Sequence, residues 1–214
     1  MATVIQAQVG AARSNDGDFV MPALGRDRDM LVSQLHGRYY QNAKRGNMWV
    51  LSTPAAGVTV PIHTNTTAQF VIYNPASSGY DVSVLVVVVG YVSGTMVAGH
   101  MVYSFVKGLT TAPTTTTNAL IQNARLDSGA SMPGGVSAYS PATLAAAATY
   151  LRPMGNSQVV QAATATNAPW SQIDNVDGSI VLGPGTLLNI SGNAAAFVVA
   201  AIAAVVEFVP VGSN

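Results

Sequence analysis

From residue 47 onward, runs of β-branched and aromatic residues are separated by turns of Gly, Pro, Asn and Ser. This is the pattern of short antiparallel strands. The runs cover 47–53, 58–62, 67–73, 80–92 and 99–107, then 179–182, 186–190 and 194–209. Together they make eight candidate strands, within the range of a jelly roll. A further strand at 118–126 is open, and Ala145–Ala148, between Pro141 and Pro153, are expected to add a helical turn or two. The fold class expected is all-β: an antiparallel, jelly-roll-like β-sandwich.

Two runs break the alternation of a half-exposed strand. Residues 84–89 and 197–206 are apolar at nearly every position, so both faces of each strand call for burial. A two-sheet sandwich buries only one face of each sheet. The second face is then covered by a neighbouring subunit or by another part of the same chain. The oligomer-interface candidates are Val84, Val86, Val88, Phe197, Val199 and Ile202.

Residues 1–45 differ from the rest. Arg13, Asp16, Asp18, Arg26, Asp27, Arg28, Asp29, Arg38, Lys44 and Arg45 lie here, more than half of all the charges in the chain. They read as an N-terminal arm, extended or with a short helix at 27–35. The β domain is expected over 46–214, with residues 108–172 as a long low-charge loop or insertion of little hydrophobic content.

Composition sharpens the assembly reading. Only 8% of the residues are charged and the formal net charge is zero, whereas a soluble domain carries roughly 25% charged residues. Such a surface has little to oppose association. The nine Lys and Arg are balanced by nine Asp and Glu, which argues against nucleic acid as a partner. Cysteine is absent, so disulfides and thiolate metal sites are excluded. Residues 1–10 lack a basic region followed by an apolar run, so no signal peptide is expected. The thirteen-residue apolar run at 194–206 is shorter than the about 20 residues of a membrane helix.

Chemical motifs are sparse. His36, His63 and His100 have no metal-binding spacing. Asp16/Asp18 and Asp174/Asp177 adjoin Gly17 and Gly178 and read as turn residues, while Asp27/Asp29 interleave with Arg26 and Arg28. No GxSxG elbow or phosphate-binding glycine loop is present. Neither an enzyme nor a cofactor is expected.

The stretch 68–103, with Tyr73-Asn-Pro-Ala-Ser-Ser-Gly79, Gly90-Tyr-Val-Ser-Gly94 and Met101-Val-Tyr103, resembles virion proteins of tailed bacteriophages. So does the C-terminal piece, with Ile180-Val-Leu-Gly-Pro-Gly185 and Val206-Glu-Phe-Val-Pro-Val211. The resemblance covers a third to a half of the chain and is carried by strand and turn residues. It implies a capsid decoration or cement protein on the capsid exterior, homo-oligomeric and, by analogy with other jelly-roll proteins, a trimer. The implied partner is the major capsid protein, with Arg26, Arg28, Arg38, Lys44 and Arg45 as capsid-contact candidates. A head-fibre or tail adhesin that binds host-surface glycan is the alternative.

Overall fold

The computed structural model describes residues 37–94, 99–129, 131–155, 171–194 and 198–211. The expected helix at 27–35, together with Arg26, Arg28, His36 and Phe197, lies outside the described residues. The chain divides into two compact units, 1–40 and 41–214.

Among the described residues, thirteen strands follow a single turn of helix, α1 (Tyr40–Lys44). They are β1 (Met48–Ser52), β2 (Val58–Thr59), β3 (Thr67–Ala68), β4 (Val71–Asn74), β5 (Tyr80–Ser93), β6 (Met101–Lys107) and β7 (Leu120–Asn123). Then come β8 (Ser137–Tyr139), β9 (Ala142–Thr143), β10 (Thr149–Pro153), β11 (Ser171–Leu182), β12 (Thr186–Gly192) and β13 (Val199–Pro210). They form an antiparallel β-sandwich. One sheet has the order β11-β5-β13-β1-β7, with β2 also paired to β13; the facing sheet has the order β10-β6-β12-β4-β8.

The pairings describe one long ribbon. β1 pairs with β13, β4 with β12, β5 with β11 and β6 with β10, all antiparallel. The first half of the domain therefore runs back along the second half. The ribbon is rolled so that β5 also meets β13 and β6 meets β12. Its tip lies between β6 and β10.

Between the sheets sits the main core, which includes Leu51, Phe70, Ile72, Val84, Val87, Tyr103, Leu188, Ile190, Ile202 and Phe208. Val84 and Ile202 are 0% and 1% exposed. Both belong to this internal packing and not to an oligomer interface. The apparent loss of alternation at 84–89 has a local cause. Val84 and Val86 pair with the consecutive residues Val206 and Val205, so Leu85 is an extra, bulged residue. The bulge shifts the phase by one: Val82 and Val84 point inward before it, Val87 and Val89 after it. Strand β13 alternates regularly, burying Ala200, Ile202, Ala204, Val206 and Phe208.

The tip of the ribbon is not a bare loop. It contributes β7 to one sheet and β8 and β10 to the other, and it pairs β9 with β3. Tyr139, Ala142, Leu144 and Ala148 pack with Leu109, Ala68, Val71, Tyr73, Val106 and Leu187, covering the outer face of the β10-β6-β12-β4-β8 sheet. No helix forms at Ala145–Ala148; Leu144 and Ala148 are buried from an irregular path instead.

Candidate assembly face

The outer face of the β11-β5-β13-β1-β7 sheet follows from register, because cross-strand partners share a face. One row runs Ile173, Val88, Ala203, Ser52, Leu120. The next runs Asn175, Val86, Val205, Val50, Gln122. Beyond the first row lie Ser171, Gly90 and Ala201; beyond the second lie Val181, Ser83 and Glu207. The two central rows carry no charge. Ile173, Leu120 and Val181 are 51%, 59% and 54% exposed, and Val86, Val88, Ala203 and Val205 are half-buried by their neighbours alone. Acids gather at one end: Asp81 pairs with Val209, and Glu207 accepts a hydrogen bond from Asn42 Nδ2 at 2.6 Å.

Of the interface candidates, Val86 and Val88 lie on this face, and Val199 is half-buried at its β2 border, paired with Ser93 and Thr59. Ala203 and Val205 fall within the apolar run at 197–206, while Ile173 and Leu120 were hidden from sequence reasoning. β11 begins eight residues before the run expected at 179–182, and β7 is only four residues long.

At one border of the sandwich the two edge strands are tied by polar groups. Arg152 on β10 donates to Asp174 Oδ2 on β11 at 3.0 Å, and its guanidinium carbon lies 4.8 Å from the centre of the Tyr103 ring. Asp174 also accepts the Gly155 N–H at 3.2 Å. Gln172 donates to the carbonyls of Met154 and Gly155 at 3.3 and 2.8 Å. Burial, and after it the Asp174 carboxylate, push the Tyr103 phenol far above its ordinary value. Asp174 is thus a buried strand residue held by a cation. The turn role falls to Asp177 and Gly178, at φ of 49° and 81°, in the irregular segment between Asn175 and Ile180.

Lys44 and Arg45 are exposed at the end of α1, and Arg38 is exposed as well. Arg125, distant in sequence, donates to the Lys44 carbonyl at 3.3 Å and pairs with Asp127 at 2.8 Å. The contact brings the Arg125–Asp127 pair beside Lys44 at the end of α1; nothing in the sequence signals it.

A cleft of about 360 Å³ is lined by Trp49, Tyr80, Phe208, Pro133 and Pro210. Its rings pack edge-on, Trp49 and Tyr80 standing 6.4 and 6.2 Å from Phe208, with Trp49 and Phe208 buried. Trp49 and Phe208 belong to the main core, with Tyr80 packed against it. Among the described residues no three His, Asp or Glu side chains gather in a metal-binding group. Against known proteins, the chain matches no family model, no curated protein and no solved structure.

Proposed function

We propose that this chain is a non-enzymatic structural subunit of a virus particle, a capsid decoration or cement protein that self-associates and binds the major capsid protein on the shell exterior. The observation that carries the reading is the asymmetry between the two sheets. The chain's own ribbon tip packs on the outer face of one sheet at β4, β12 and β6, while the described residues leave the other a face five strands wide whose two central rows are uncharged and largely apolar. Monomers rarely present apolar patches above a few hundred Å².

The winding supports the same reading. A two-stranded ribbon rolled into two sheets is the plan of a jelly roll, which recurs in viral capsid proteins. That likeness concerns architecture, and fold alone does not fix function. The exposed cations Lys44, Arg45 and Arg125 are suited to acidic groups on the shell. Immunogold labelling of purified virus particles with an antibody raised against this chain tests the reading. Regular labelling of the head surface is expected; a chain absent from the particles contradicts it.

A further inference from the structure

We infer that the sheet face left open by the described residues packs against the same face of a second copy, sheet on sheet, about a two-fold axis lying in the interface and perpendicular to the strands. The inference rests on reading this face as an assembly surface, and it adds the occupant and the geometry.

Area is the first support. Three strands about 36 Å long and two about 15 Å long, spaced about 4.8 Å apart, give about 650 Å² in plan. A specific interface takes roughly 600–1,000 Å² from each partner, so the face alone suffices. Neutrality is the second. The central rows contain no charged residue and the chain has zero net charge, so two copies meet without a buried like-charge pair. Size is the third. Ala203 and Ser52 lie in a central row and Gly90 and Ala201 in the row beyond it, small residues that let two sheets approach to the usual separation of about 10 Å.

The acids choose the axis. Asp81 and Glu207 lie at one end of the face. An axis parallel to the strands would stack that end on itself, setting carboxylates against carboxylates. An axis perpendicular to the strands sets it over the Gly90 and Ala201 end of the second copy. The same operation places the row of Ala203 and Val88 over the row of Val205 and Val86, a small residue against a larger one at β13. Three-fold symmetry would bring a flat face to its neighbours only along its borders and leave the central rows open. The geometry therefore points to a dimer as the building unit rather than a trimer.

Sedimentation equilibrium of the full chain tests this with Ala203→Arg and Val88→Arg, both on the outer face, and Leu126→Arg as control; Leu126 is 80% exposed in the turn beyond the end of β7, outside the paired rows of the face. The two face variants are expected to associate roughly 100-fold more weakly, since each buries an unpaired charge, while the control keeps the native mass. Because the chain has no cysteine, Ala203→Cys with Val205→Cys in a mixture offers an independent readout. Mild oxidation is expected to link them between copies, and Leu126→Cys is expected to stay unlinked. Unchanged mass in both face variants, or no linkage at 203 and 205, overturns the inference. Particle labelling would be untouched by that outcome, so a structural subunit using another surface would remain distinguishable.

Discussion

Arg152 and Asp174, 22 residues apart in sequence, meet at 3.0 Å across the border where the edge strands of the two sheets come together. The pair closes the sandwich on the side where the chain passes from β10 to β11. Asp174 is 10% exposed at its side chain and Arg152 35%, so the carboxylate depends on this partner far more than the guanidinium does.

Replacing Asp174 with Asn is expected to destabilise the fold by about 1–2 kcal/mol, the value of a charge-assisted hydrogen bond reduced for the solvent that reaches Arg152. Urea unfolding checks it: the midpoint falls while the slope stays constant. An unchanged midpoint would mean that the pair contributes nothing to closure.

Tyr103 gives the fold an alkaline limit. Its phenol titrates higher in the folded protein than the ordinary value of 10.0, so the unfolded chain loses that proton first. The contribution is fully present below pH 10 and is lost as pH rises above it toward the folded value. Thermal unfolding is expected to show a drop in Tm above pH 10 that is shallower in Tyr103→Phe. Parallel curves for the two proteins would remove Tyr103 as the cause.

The bulge at Leu85 predicts an unusual tolerance. Val84 and Val86 already face consecutive residues of β13, so deleting Leu85 leaves every inward residue of β5 inward. The cost is the packing of one buried leucine, about 2–4 kcal/mol. Deleting Val87 instead sends Val88 inward and Val89 outward, a phase error along the rest of the strand. Circular dichroism and denaturant unfolding are expected to find a folded Leu85 deletion and an unfolded Val87 deletion. Equal loss in both would contradict the bulge assignment.

Charge reversal at Lys44 and Arg45, both to Glu, is expected to leave stability within about 0.5 kcal/mol, as exposed surface substitutions do. Binding to particles in co-sedimentation is expected to weaken, and the wild-type interaction to weaken with added salt. Salt-independent binding equal to wild type would place the shell contact elsewhere.

The long strands were legible because their residues state their own burial. β1, β5, β6, β12 and β13 fall within the apolar runs of the sequence, with ends shifted by a few residues. β8, β9 and β10 were not legible: their Ser, Ala, Thr and Tyr residues carry little apolar signal, and they become strands by pairing with β4, β3 and β6. The same long-range pairing hid the contact of Arg152 with Asp174: Arg152 is an isolated charge in the sequence, and Asp174 reads as a turn residue with Asp177 until β10 and β11 are placed as edges of facing sheets. The run at 84–89 pointed correctly to an apolar outer face at Val86 and Val88. It also drew Val84 into that face, because a bulged residue cannot be told from its neighbours in a row of valines.

The native mass of the intact chain, measured by light scattering across a range of concentrations up to about 100 μM, tests the central claim most directly. An oligomer whose mass holds at the lower concentrations and survives moderate salt is the predicted result. A well-behaved monomer throughout would contradict it, because no second copy would then cover the apolar sheet face.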